Sequence, residues 1–265
     1  MWGWTFVVVK DAIAQYPPLP FLAVRFAVAT LVMALVVRRL PSRRVLQVGA
    51  LVGLVLAAGY LFQTVGLGLT SPGNAGLITG LFVVFTPVLE RAFGRPVALR
   101  TLIAVVLALA GTVLLTGGGP TGVGIGDLLV LGCAIAFALH IVLLGRWAPD
   151  LPAAPLAMVQ MAVSTLLFSA GAVPGWRLPA QSVWFAIAIT GVFASAIAFF
   201  IQTWAQRHLS PTRTALVLAT EPAWALFFAV LLAGQRLDVA QGAGAALVLV
   251  AIIGHEVAGA LTARK

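Results

Sequence analysis

The chain has 265 residues, of which 62% are hydrophobic and only 9% charged, with a formal net charge of +9 and a mean hydropathy of +1.10. A soluble domain carries about 25% charged residues to cover its water-facing surface, so a water-soluble fold is excluded. The basic excess is not a nucleic-acid face either, because the Lys and Arg residues lie in short clusters between apolar runs rather than on one folded patch.

Apolar runs separated by Pro, Gly or Arg predict ten spans, and their lack of strand-like alternation makes those spans helices. They run at approximately Trp2 to Gln15, Phe21 to Val37, Leu46 to Leu67, Pro72 to Ala92, Leu99 to Thr116, Gly126 to Trp147, Pro155 to Val173, Val183 to Gln206, Pro211 to Leu232 and Val239 to Gly259. The connections are short, so neighbouring spans are expected to be antiparallel. A span needs about 20 residues, whereas the stretch before the Pro17-Pro18 turn offers about 16, or roughly 24 Å of helix. A clipped start of the first helix is therefore expected.

Orientation follows from the basic residues. With the N-terminus inside, twelve of the sixteen fall on the inner side, among them Arg38, Arg39, Arg43, Arg44, Arg91, Arg95, Arg146 and Arg213. Only Arg177 and Arg236 fall outside, while Lys10 and Arg25 lie within spans. The positive-inside rule then places both termini in the cytoplasm of a bacterial inner-membrane protein.

An internal repeat underlies the pattern. Gln63-Thr64, Ser71-Pro72 and Leu77 recur as Gln202-Thr203, Ser210-Pro211 and Leu216 at an offset of 139, and Val24, Ala27, Val28, Thr30 and Leu31 recur as Val159, Ala162, Val163, Thr165 and Leu166 at 135. Five spans per half is an odd number, so the second half enters the membrane from the opposite side. Such inverted repeats generate alternating access in secondary transporters. The expected organisation is a first repeat at 1–117, an external glycine-rich linker at 118–125, and a second repeat at 126–265 ending in a short cytoplasmic tail.

WGWTFVVVK at the start, LAVRFAVA in the second span, LFQTVGLGLTSPGNAGLITGLFVVFTP, and TWAQRHLSPTRTALVLATEP in the second half are similar to the EamA family of the drug/metabolite transporter superfamily. The resemblance covers nearly the whole chain. It implies an all-α bundle of ten transmembrane helices in two inverted five-helix repeats around a central cavity, with members exporting amino acids, metabolites or toxic compounds.

Polar residues at membrane depth are the site candidates. Glu221, about 15 Å along its helix from Pro211, precedes Pro222, which leaves a carbonyl without its donor beside a carboxyl; a packed neutral acid is the alternative. Arg25 and Lys10 lie toward the external end, where they line a cavity or snorkel to headgroups. Gln63 and Gln202 either touch substrate or bond between helices. Asn74, His140 and Trp204 complete the set, with packing the simpler account of the last two. Cys133 is the sole cysteine, which precludes an intrachain disulfide. Gly117 to Gly126 lacks the GxxxxGK[ST] pattern, and no HExxH or GxSxG occurs, so no enzyme, cofactor or metal is expected. The function expected is alternating-access export of small organic metabolites, with protons as a candidate coupling ion and lipid as the surroundings. Uptake or exchange, and a non-transporting membrane scaffold, are the alternatives.

Overall fold

The computed structural model describes residues 5–38, 40–115, 124–172, 176–220 and 239–263. Among them no strand occurs, and the regular structure is α1 (Thr5–Gln15), α2 (Pro18–Val36), α3 (Arg43–Leu69), α4 (Pro72–Gly80), α5 (Phe82–Ala92), α6 (Leu99–Leu115), α7 (Ile125–Trp147), α8 (Ala153–Ala172), α9 (Gln181–Gly191), α10 (Ala198–Ala205), α11 (Pro211–Leu218) and α12 (Val239–Ala263). A 3-10 turn, Ala148–Asp150, follows α7, and a π-helical segment, Val192–Ile197, joins α9 to α10.

Among the described residues, six stretches are long and apolar enough to cross a bilayer: Pro18–Val36, Arg43–Leu69, Pro72–Ala92, Ile125–Asp150, Ala153–Ala172 and Gln181–Ala205. Two expected spans correspond to shorter apolar helices, Leu99–Gly111 and Gly242–His255. Of the remaining two, α1 has 11 residues, about 16 Å of helix against a core of about 30 Å. The other begins as α11 and runs into 221–238, outside the described residues. Two spans are interrupted rather than straight. Pro72–Ala92 breaks at Leu81 between α4 and α5, and Pro87 inside α5 has no N–H for its preceding turn. Gln181–Ala205 carries the π segment, which widens the turn and redirects the side chains beyond it.

Helix starts follow local chemistry. Ser71 Oγ accepts from the Asn74 N–H at 3.1 Å and Ser210 Oγ from the Arg213 N–H at 3.3 Å, each ahead of a first-turn proline. A serine cap plus a proline pre-set for helix explains why both Ser-Pro pairs begin helices.

The most extensive helix pairings are α3 with α7, α6 with α12 and α2 with α8. Glycine permits the closest of them. A Cβ on Gly66 would lie 2.8 Å from the Gly126 carbonyl oxygen, so α3 and α7 meet backbone to backbone. The interior is aromatic where α2, α3 and α8 converge, with Phe26 edge-on to Tyr60 at 4.9 Å and against Phe168 at 5.4 Å. The outside is apolar as well: Leu31 and Leu35 on α2, Leu166 on α8, Phe185 on α9 and Val250 on α12 are exposed. In water this would be one large aggregation-prone surface; in lipid it is the solvent-facing side.

Candidate functional site

A cavity of about 700 Å³, its open mouth included, lies among α1, α2, α3, α4, α5, α7, α10 and α11. Its walls are largely aromatic and aliphatic, with Tyr60, Phe137 and Phe199 forming one continuous face: Tyr60 lies edge-on to Phe137 at 5.4 Å and to Phe199 at 5.9 Å.

Arg25 enters this face from the first half of α2. It is only 3% exposed. Its Nε donates to Ser195 Oγ at 2.9 Å, its Nη2 donates to the Tyr60 hydroxyl at 3.2 Å, and the guanidinium carbon stands 4.6 Å over the Tyr60 ring. Ser195 belongs to the π segment, so the widened turn is what brings its hydroxyl to the guanidinium. Both bonding partners are neutral. No carboxylate among the described residues pairs with Arg25, and Nη1 has no hydrogen-bond partner among them.

Three further candidates share the cavity. Gln63 donates to Thr79 Oγ1 at 3.4 Å, Gln202 donates to Gln206 Oε1 at 3.2 Å, and Gln206 Nε2 donates to the Ile141 carbonyl at 2.8 Å. His140 pairs through Nε2 with Gln160 Oε1 at 2.8 Å and lies edge-on to Phe199. Gln160 also donates to the Leu156 carbonyl and to Thr203 Oγ1. With that amide orientation, the His140 Nε2 carries the proton.

Other candidates lie elsewhere. Lys10 donates to the carbonyls of Leu67, Gly68 and Thr70 at 2.6, 3.0 and 2.9 Å, so its ammonium closes the C-terminal end of α3, where the helix dipole favours a cation. Asn74 sits in the first turn of α4 with its N–H on Ser71. Trp204 is 54% exposed, its ring against His208 at 6.0 Å, away from the cavity lining. Glu221 lies outside the described residues.

Several polar contacts had not been singled out in the sequence. Glu90, in the last turn of α5, is buried and accepts from both the N–H (3.1 Å) and the hydroxyl of Thr212 in the first turn of α11. Asp127, in the first turn of α7, accepts from the Thr70 hydroxyl at 2.6 Å and the Gly124 N–H at 2.9 Å. Tyr60 and Phe199 had a signal available, since they are each other's counterparts at the 139-residue offset already given by the two glutamines.

A multi-pass bundle of apolar helices around a largely apolar cavity that carries a few polar side chains has the architecture of a membrane transporter. The comparisons with known proteins agree. The model of the EamA-like transporter family matches residues 1–117 and 124–255, and the chain belongs to that family, within the drug/metabolite transporter superfamily. An "Uncharacterized transporter" of Archaeoglobus fulgidus is 31% identical over 257 residues, covering 96% of this chain and 81% of the relative. The "Uncharacterized inner membrane transporter YedA" of Escherichia coli is 27% identical, covering 96% and 86%. One solved structure, described only as "Crystal structure of protein", superposes with a TM-score of 0.76 at 20% identity over 94% of this chain and 90% of its own, which shows a shared fold.

Proposed function

We propose that the protein is a secondary exporter of small organic metabolites, amino-acid-like or toxic, working by alternating access between two inverted five-helix halves, 1–117 and 126–265. It sits in a bacterial inner membrane with both termini in the cytoplasm, the location named for the Escherichia coli relative. The observation that carries the reading is that ten of the sixteen cavity-lining residues pair off under the sequence repeat. The 135-residue offset takes Thr5 to His140 and Phe6 to Ile141, and the 139-residue offset takes Tyr60 to Phe199, Gln63 to Gln202 and Thr79 to Leu218; all ten residues line the cavity.

Packing outside the cavity supports the same symmetry. Thr30 and Thr165, counterparts at 135, meet hydroxyl to hydroxyl at 3.0 Å, and each also donates to the carbonyl four residues earlier. Gly53 packs against Gln160 and Val163, while Gly191 packs against Arg25 and Val28, and these partner pairs are counterparts too. The family match divides into two segments near the same boundary. A site at the interface of two such halves can be exposed to either side by exchanging their conformations.

The test is flux from proteoliposomes loaded with a labelled panel of amino acids and toxic compounds, with and without an imposed pH gradient. Protein-dependent efflux of at least one solute is expected, faster when a proton gradient drives it. Efflux equal to that of protein-free vesicles across the panel refutes transport, and flux indifferent to the gradient removes the proton as coupling ion.

A further inference from the structure

Building on the transport reading, we propose that Arg25 is the specificity-determining residue of the cavity and that it selects solutes carrying a carboxylate on an apolar, preferably aromatic, body. Burying a guanidinium costs several kcal/mol unless charge and hydrogen bonds compensate it. Ser195 and Tyr60 supply hydrogen bonds and the Tyr60 ring adds its face, yet neither supplies negative charge. The bonds engage Nε and Nη2, which leaves both protons of Nη1 and the second proton of Nη2 for a ligand. Two parallel N–H groups of that kind match a carboxylate in a fork geometry that lysine cannot offer.

The repeat sharpens the argument. The counterpart of Arg25 is Gln160, and its amide is occupied by His140, Thr203 and the Leu156 carbonyl. One half therefore closes its polar position internally, and the other presents a cation to the cavity. A purely structural post at this position needs no charge, as Gln160 demonstrates. The surrounding walls then favour the remainder of the ligand: Tyr60, Phe137 and Phe199 offer a continuous aromatic face, and no Asp or Glu lines the cavity among the described residues. Organic cations meet a like charge there, and neutral compounds leave the guanidinium uncompensated.

The test uses purified full-length protein and ligand-induced thermal stabilisation with four probes of one shape: 3-phenylpropionate, its amide, phenethylammonium and L-phenylalanine. The expected result is stabilisation by 3-phenylpropionate, by L-phenylalanine or by both, and none by the amide or the amine. R25Q, which installs the residue of the other half, should bind the effective carboxylate about tenfold more weakly or worse, the loss expected for hydrogen bonds to a charged group. R25K should recover part of that affinity. Equal stabilisation by carboxylate and amide overturns the proposal on the wild-type protein alone, whether or not R25Q folds. So does a folded R25Q with unchanged affinity, or failure of both carboxylates to bind. Carboxylate efflux undiminished in R25Q sinks this proposal while leaving transport standing; carboxylate binding without any flux does the reverse.

Discussion

Removing the carboxylate of Glu90 should loosen the junction of α5 and α11 by an amount its contacts set. Glu90 Oε2 accepts two hydrogen bonds from Thr212, at the positively polarised start of α11. Its second oxygen stands 3.9 Å from Arg95 Nη1, but that guanidinium is half exposed and contributes little. In E90Q the amide oxygen still accepts, so the loss is the charge component of the bonds and the helix-dipole attraction, about 1–2 kcal/mol. E90A leaves the Thr212 N–H and hydroxyl without their acceptor in a buried place, which costs about 3 kcal/mol. On a scale of 2–4 °C per kcal/mol for large domains, the melting temperature should fall by about 4 °C for E90Q and about 9 °C for E90A. Thermal unfolding of detergent-purified protein followed by size-exclusion chromatography measures both. A double-mutant cycle with T212V should give a coupling of about 1 kcal/mol, since the residues are in contact. Additive losses, or an E90A variant as stable as wild type, would refute the reasoning.

Two further outcomes follow from the packing and the charges. G66A forces a methyl within 2.8 Å of the Gly126 carbonyl oxygen and should lose about 1–3 kcal/mol by overpacking, whereas G68A, whose nearest neighbour would be Ile13 at 4.0 Å, should melt with the wild type; equal stability of the two disproves the backbone-to-backbone contact. For orientation, R43C in a C133A background should resist a membrane-impermeant thiol reagent in intact cells and react in inverted vesicles, because Arg43 is exposed at the start of α3; labelling of intact cells would turn the topology over.

The class of protein and part of the cavity lining were legible in the sequence because each rests on a coarse physical signal. Charge scarcity excludes water, and the two glutamines at one offset gave Gln63 and Gln202, which both line the cavity. What the sequence withheld depends on helix rotation and on local irregularity. Lys10 and Arg25 look alike as isolated cations in apolar runs. The fold sends one to the open end of α3 and the other into the interior, a difference of azimuth that apolar periodicity hides when every face of a helix is greasy. Ser195 was invisible as a partner because a regular α-helix through 192–197 would aim it elsewhere. Glu90 was overlooked because it sits at a span end beside Arg91 and Arg95, where acids are usually solvated. Only the approach of the α11 terminus makes it a buried acceptor.

The polar contacts at helix ends also constrain how two halves of this kind can move. Glu90 ties α5 to α11, and Asp127 ties the start of α7 to the end of α3, which Lys10 closes from α1. Each tie joins residues on opposite sides of the 118–125 linker. In the proposed topology Glu90 lies at the cytoplasmic side and Asp127 at the external side. Both ties are present together in this structure, so in the alternating-access reading proposed above, opening toward either side must first release one of them. Each is a carboxylate, Glu90 held across by two donors of Thr212 and Asp127 by the Thr70 hydroxyl, and such bonds can exchange for water in an opened state. The backbone crossing at Gly66 and Gly126 lies beside the Asp127 tie and has no such polar exchange available. Separation at either end therefore costs packing as well as hydrogen bonds, because Val83 of α5 shares an apolar cluster with Ala215 and Leu216 of α11 on the side of the Glu90 tie.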